Sequence, residues 1–156
     1  MGQEVLDAFW KSNDRIYNEN PLLYHRLARA CGLPDCAFWL LYTLRSEEAP
    51  LTQTQLSEQL SLPKQTVNSA LKKLVEAGYL RLEAADGNLK NKQVLVTEAG
   101  DAFLRRTVDR VFDMENAAVS HLSGEERAAL LDLSQKLLDA FRTETERFLK
   151  AQDTGD

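Results

Sequence analysis

A polar and cationic run between residues 63 and 77 carries side chains suited to hydrogen bonding with nucleic acid. Apolar residues recur there at helical spacing, which predicts a helix with Val67, Leu71 and Leu74 facing inward. Asn and Gln amides can pair with adenine, Ser and Thr hydroxyls with bases or phosphates, and Lys with phosphates or guanine. No Asp or Glu occurs from Pro63 to Val75. The outward residues predicted to contact DNA are Lys64, Gln65, Thr66, Asn68, Ser69, Lys72 and Lys73.

A second basic stretch follows within a segment of strand-like alternation. Between Ser61 and Thr97 the chain has six basic and three acidic residues, a local charge of +3 in a protein whose net charge is −5. Such a local excess of positive charge favours phosphate contact despite the acidic total. Apolar and polar residues alternate on both sides of Asp86-Gly87, which predicts a β-hairpin over 79–96 with residues 88–92 at its tip. Its candidate DNA contacts are Arg81, Asn88, Lys90, Asn91 and Lys92.

The elements around these two segments complete a helix-turn-helix with a β wing. Thr52 is a suitable N-cap for a helix over 52–60, and a tight turn is predicted at 61–63. Gly78 is suited to end the helix that follows. In this arrangement the second helix enters the major groove, and the wing lies beside the adjacent backbone or minor groove. Thr52 and Gln53, at the start of the first helix, are further candidate DNA contacts.

Helical periodicity also dominates both ends of the chain. Pro21 is expected to start or kink a second helical run after the first, and Gly32 to end it. Ser123 and Glu126 have the spacing of a capping box, which marks the start of the last helix. The predicted flanking helices cover residues 4–19, 21–31, 98–122 and 123–150, and a further helix is predicted over 35–46.

The last predicted helix is long for a chain of 156 residues. Residues 125–150 would span about 39 Å at about 1.5 Å per residue, and the apolar stripes of the terminal helices exceed what the central module can cover. A second subunit is expected to cover them, which predicts a homodimer. The predicted fold is mainly α, a winged helix-turn-helix flanked by N- and C-terminal dimerisation helices. The predicted domains are 1–34 for the N-terminal dimerisation helices, 35–97 for the winged helix-turn-helix, 98–151 for the C-terminal dimerisation helices and 152–156 for a disordered tail.

Composition and motifs argue against several other classes of protein. There is no Gly-rich phosphate loop, no nucleophile elbow and no carboxylate pair beside a His, so neither an enzyme nor a cofactor is predicted. Two cysteines and two isolated histidines are too few for a metal site. No apolar run reaches the roughly 20 residues of a membrane span, and a signal-peptide pattern is absent, which predicts a cytoplasmic protein. A winged helix that binds protein instead of DNA stays an alternative, because the chain is acidic overall.

Two segments resemble signature segments of the MarR family of winged-helix transcription regulators. They are residues 51–80, LTQTQLSEQLSLPKQTVNSALKKLVEAGYL, and residues 94–100, VLVTEAG. The resemblance covers about residues 22–150. The family's wing usually carries Asp-x-Arg, and the matching Asn88-Leu89-Lys90 keeps a positive charge but loses the planar guanidinium, which favours a phosphate contact. The resemblance implies a dimeric regulator, usually a repressor, that binds double-stranded DNA at a pseudo-palindromic operator.

The same resemblance implies release from DNA by a small effector, often aromatic or anionic, held between the dimerisation helices and the winged module. Aromatic side chains at helical spacing are also typical of an ordinary core, so both interpretations stay open. Some relatives sense oxidants through cysteine. Cys31 and Cys36 flank a helix-to-helix turn and are candidate redox residues, although a structural or incidental role is favoured. The candidate cleft residues are Trp10, Tyr17, Tyr24, His25, Trp39 and Tyr42.

Overall fold

Helices dominate the described part of the chain, which comprises residues 2–85 and 88–153 of a computed structural model, apart from the side chains of 85, 88–91 and 153. Three strands within it form one small antiparallel sheet. The predicted fold class, a mainly α winged helix-turn-helix, is thereby confirmed. The elements are α1 (Gln3–Ala30), α2 (Asp35–Ser46), β1 (Leu51–Thr52), α3 (Gln53–Gln59), α4 (Lys64–Glu76), β2 (Leu80–Ala85), β3 (Asn88–Val96), α5 (Glu98–Arg106), α6 (Val108–Val119) and α7 (Gly124–Asp153).

The chain divides into two units between Phe112 and Asp113, inside α6. The first unit contains the buried core. The second unit holds the rest of α6 and α7, a helix of 30 residues with no buried side chain among those described. None of the described helices is both long and apolar enough to cross a membrane. The largest fully buried core residues are Phe38, Leu40, Leu41, Leu56, Val67, Leu71, Leu80, Val94, Leu104 and Val108.

Local caps set the ends of the two helices of the helix-turn-helix. The backbone N–H of Thr52 donates to Gln55 Oε1 at 2.8 Å, and that of Gln55 donates to Thr52 Oγ1 at 3.3 Å, which forms a capping box at the start of α3. The turn before α4 is held by Ser57 Oγ, which donates to the Leu62 carbonyl at 2.6 Å. At the far end of α4, Gly78 has φ +77° and closes the helix, as predicted.

The sheet has the strand order β1-β3-β2. Leu82 and Leu51 both lie opposite Val94, one on each side of β3. The short strand β1 was not expected from the sequence, because a strand of two residues has no periodicity to detect. The predicted hairpin is confirmed, but residues 88–92 lie in β3 and not at its tip. The turn residues Asp86 and Gly87 lie outside the described part of the chain.

The expectation that Pro21 starts a second helix is wrong. α1 runs for 28 residues with Pro21 inside it. Proline removes one backbone hydrogen bond, here the partner of the Tyr17 carbonyl. Residues 14–23 are exposed, so water can satisfy that carbonyl and the helix continues.

The helix expected over 98–122 is instead two helices that meet at Thr107. That residue has φ −125° and ψ −86°, outside the helical range, and its hydroxyl donates to the Phe103 carbonyl at 2.7 Å. The capping box of Ser123 and Glu126 is confirmed at the start of α7. That helix continues to Asp153, and so extends into the tail predicted to be disordered.

Candidate nucleic-acid interface

The face of α4 predicted to read DNA is open to solvent over its whole length. On the opposite face, Val67, Leu71 and Leu74 are at most 4% exposed and anchor the helix in the core. Because apolar residues occupy that inner face at helical spacing, the polar residues between them must point outward. The exposed residues are Lys64, Gln65, Thr66, Asn68, Ser69, Lys72 and Lys73.

Internal contacts distinguish some of these side chains from the rest. Ser69 Oγ donates to the Gln65 carbonyl of its own helix at 2.9 Å. Lys72 Nζ lies 3.8 Å from Glu76 Oε1, an exposed pair that contributes little to stability and can open readily. The long side chains of Gln65 and Asn68 are exposed on the first two turns of α4, the part of a recognition helix that meets base edges.

The two candidate DNA contacts on the helix before the turn are less exposed than those on α4. Thr52 is half-buried, and its hydroxyl both caps α3 and donates to Gln55 Oε1 at 2.9 Å. Gln53 is half-buried at the first position of that helix. In the structure, the Thr52 hydroxyl therefore serves to cap α3.

The wing presents a smaller set of described cations. Arg81 is exposed on β2 and forms an ion pair with Glu83, two positions along the same strand and on the same sheet face. Lys92 is exposed on β3, in register with Ala84. Backbone positions of Asn88, Lys90 and Asn91 lie in β3, but their side chains lie outside the described part of the structure.

Comparison with known proteins agrees with this architecture. A model described as the MarR family matches residues 26–88, which include α2, α3 and α4. Over that segment the chain is similar to the MarR family. The HTH-type transcriptional regulator PecS of Dickeya dadantii is 30% identical over 95 residues, which are 60% of this chain and 57% of PecS. The chain thus spans little more than half the length of that relative.

Solved structures of MarR family regulators share the fold. A regulator from Neisseria meningitidis superposes with a TM-score of 0.71 at 22% identity, covering 94% of this chain and 99% of that one. Staphylococcus aureus MarR, solved in complex with salicylate and kanamycin, has a TM-score of 0.69 at 17% identity, covering 91% and 95%. These relatives are regulators and not enzymes, which confirms the prediction that the chain is not an enzyme.

Three of the candidate cleft residues form one aromatic cluster in this chain. Ring centroids of Tyr24 and Trp39 are 4.8 Å apart, those of Trp39 and Tyr42 are 5.3 Å apart, and Tyr42 meets Phe112 at 4.7 Å. These four rings are half-buried and pack against the core, which includes the fully buried Phe38. The cluster joins α1, α2 and α6.

The other three candidates lie elsewhere on α1. Trp10 packs edge-on to Phe9 at 5.5 Å, more than three helical turns before Tyr24, and Tyr17 is 64% exposed. His25 Nδ1 lies 2.8 Å from a carboxylate oxygen of Asp35, at the start of α2. The structure therefore does not bring all six residues into one site.

Both cysteines are free and half-buried. Burial raises the pKa of the Cys31 thiol and of the Cys36 thiol, so less of the reactive thiolate is present near neutral pH. Cys36 Sγ lies 4.0 Å from the Thr66 carbonyl and packs α2 against the start of α4. These surroundings favour a structural role. Within the described residues, no group of His, Cys, Asp and Glu side chains could hold a metal ion.

Sequence reasoning missed the charged residues of α2, α5 and α6. Arg45 bonds to Asp101 and Asp109, which are 56 and 64 residues away along the chain. Arg106 and Arg110 line a cavity against the end of α1. No spacing rule links residues so far apart, so only the folded chain could reveal these groups.

Proposed function

We propose that this chain is a DNA-binding transcription regulator that acts as a homodimer on a pseudo-palindromic operator. The observation that carries the proposal is the outer face of α4, which is exposed, polar and cationic, with no acidic residue before Glu76. A helix face that only meets solvent tolerates Asp and Glu as well as Lys. A helix face that contacts phosphates disfavours Asp and Glu, because each carboxylate would repel the phosphates.

The side-chain chemistry assigns base contacts to α4 and phosphate contacts to the wing. Gln65 and Asn68 are the proposed base-reading residues, since their amides can bond to adenine in two places. Arg81, Lys90 and Lys92 are the proposed wing contacts to phosphates. Residues 35–97 form the proposed DNA-binding domain.

The dimer is proposed from apolar faces on α1 and α7. Large exposed hydrophobic residues of this kind on a soluble regulator mark a protein interface. A second copy of the chain is the expected cover, with helices of 1–34 and 98–151 forming the contact and placing two α4 helices about 34 Å apart, one turn of DNA. The exposed residues are Val5, Phe9, Trp10, Ile16, Tyr17, Leu22 and Leu23 on α1, and Leu130, Leu131, Leu133, Leu138, Phe141, Phe148 and Leu149 on α7.

We further propose that a small aromatic or anionic effector releases the regulator from DNA, so that it acts as a repressor. The salicylate in the Staphylococcus aureus MarR complex supports an effector of this class. Control by cysteine oxidation is a weaker alternative, because burial raises both thiol pKa values.

Fluorescence anisotropy on labelled DNA tests the proposal. The purified protein is titrated onto a duplex from its own upstream region and onto a scrambled duplex, at several salt concentrations between about 50 and 200 mM. Tight binding to the native duplex alone, weakening steeply with salt, is the expected result. A folded dimer that binds neither that duplex nor any fragment recovered by selection from genomic DNA would contradict it and favour the protein-binding alternative.

A further inference from the structure

Acidic side chains are rare in the segment proposed to contact DNA, and those that the structure describes lie beside its cations. Three acidic residues occur between positions 61 and 97, of which two are described. Glu83 forms an ion pair with Arg81 on β2, and Glu76 Oε1 lies 3.8 Å from Lys72 Nζ on α4. Each described acid of the segment therefore contacts a residue that is itself a proposed DNA contact.

The Arg81–Glu83 pair lies on the solvent face of the wing. Residues two apart on a strand share one face of the sheet, and Leu82 between them points to the opposite face, where it is half-buried. Across the ladder, Arg81 lies opposite Leu95 and Glu83 lies opposite Gln93, neither of which carries a charge. Glu83 is thus the side chain that the structure shows neutralising Arg81.

The pair is accessible to a competing anion. The exposed fraction is 51% for the Arg81 side chain and 52% for that of Glu83. An exposed ion pair of this kind contributes little to the stability of the fold. A DNA phosphate can replace the carboxylate, because a guanidinium donates paired hydrogen bonds to either group. The exchange leaves the Glu83 carboxylate beside the phosphate backbone without its cation, and the two negative charges then repel each other.

We propose that Glu83 sets the DNA affinity of the wing by competing with a phosphate for Arg81, and that Glu76 competes in the same way, but more weakly, for Lys72. The inference rests on the proposed function, which assigns both cations to DNA. The order follows from the geometry, since Arg81 and Glu83 are in direct contact, whereas the Lys72–Glu76 pair is separated by 3.8 Å. Neither acid is needed to hold the fold together, so both can be neutralised without unfolding the chain.

Anisotropy titrations with Glu83→Gln test the proposal on the duplex from the protein's own upstream region. At about 50 mM salt this variant should bind roughly three- to tenfold more tightly than wild type, the effect of removing one nearby charge interaction. Its salt dependence should be steeper by about one charge, because Arg81 is no longer neutralised before it meets DNA. Glu76→Gln should tighten binding by less than about threefold.

A matched substitution controls for net charge. Glu146→Gln makes the same change at an exposed position of α7, outside the proposed DNA-binding domain, and should leave affinity within about twofold. Circular dichroism checks that each variant remains folded. An affinity of Glu83→Gln equal to that of wild type, or a gain no larger than that of Glu146→Gln, would overturn the proposal.

An Arg81→Gln background separates competition from direct repulsion. Without the guanidinium there is no cation for the carboxylate to occupy, so adding Glu83→Gln should then change affinity by less than about twofold. Equal tightening in both backgrounds would mean that Glu83 repels DNA independently of Arg81, which would also overturn the proposal.

Heparin, a sulfated polyanion, provides a readout that does not require an operator. Glu83→Gln should elute from a heparin column at a higher salt concentration than wild type, and Glu146→Gln should elute with wild type. A protein that binds native and scrambled duplexes equally would contradict the regulator proposal and leave this comparison valid. Elution of Glu83→Gln with wild type, or failure of both to bind the column, would overturn the inference.

Discussion

Arg45 of α2 and Asp109 of α6 form a two-point ion pair, with Nε 2.8 Å from Oδ1 and Nη2 2.6 Å from Oδ2. Nη1 of the same arginine donates to Asp101 of α5 at 2.9 Å. The hydrogen bonding of Arg45 to Asp109, which accepts from the guanidinium, is the main reason that the pKa of Arg45 is raised above its ordinary value, so this side chain stays charged. One guanidinium thus ties the α5–α6 junction to α2.

Removing one charge from this group should destabilise the fold. Asp109→Asn is expected to lower the free energy of unfolding by about 1–3 kcal/mol, because it leaves the half-buried Arg45 with a weaker partner. Urea denaturation at a fixed protein concentration measures the change, since dimerisation makes stability depend on concentration. Arg147→Gln, which breaks the exposed pair with Glu144, is the control and should change stability by less than about 0.5 kcal/mol. Equal effects of the two substitutions would contradict the claim that the ion pairs of Arg45 stabilise the fold more than an exposed pair does.

Gly100 should not tolerate a side chain. A Cβ at this position would lie 2.0 Å from the Tyr79 carbonyl oxygen, so the backbone of α5 or the end of the wing would have to move. We expect Gly100→Ala to lower the melting temperature through a loss of about 2 kcal/mol or more. Gly124→Ala is the matched control, because a Cβ there meets open space on a helix. An unchanged melting temperature for Gly100→Ala would mean that this contact is looser than the structure shows.

The wing lysines should act on affinity and not on base preference. Lys90→Ala/Lys92→Ala is expected to weaken binding to all DNA sequences by a similar factor and to reduce the salt dependence by about one to two charges. Anisotropy titrations over a salt series measure both effects. Lys136→Ala removes an exposed charge from α7, outside the proposed DNA-binding domain, and serves as the control. A change in the preferred operator sequence would refute the proposed division between wing and helix.

Asn68, unlike the wing lysines, should act on base preference. Asn68→Ala is expected to relax discrimination at one operator position by about 1–3 kcal/mol, since one amide reads one base. The measurement compares affinities for operators that differ at single base pairs, in both half-sites. Gln135→Ala removes an exposed amide from α7 and should leave the specificity profile unchanged. Uniform loss of affinity on every operator would assign Asn68 to the phosphate backbone.

Local sequence rules account for most of the helix-turn-helix. The apolar spacing of Val67, Leu71 and Leu74 was enough to place the polar face of α4 outward. Thr52 with Gln55 and Ser123 with Glu126 marked helix starts, because a capping box needs only residues three apart. Capping and apolar spacing depend on residues within one or two helical turns, so they can be recognised in the sequence before the rest of the fold is known.

Other features depend on residues that are distant in the chain. Pro21 stays inside a helix because of its solvent exposure, and β1 exists because β3 offers a pairing edge to Leu51. The break at Thr107 and the grouping of Arg45 with its aspartates likewise arise where separate helices meet. The residue types and periodicities alone predicted the winged helix class and the outward face of α4. Tertiary packing decided which aromatic rings share a cluster and which aspartates pair with Arg45, because those outcomes depend on contacts that no local spacing encodes.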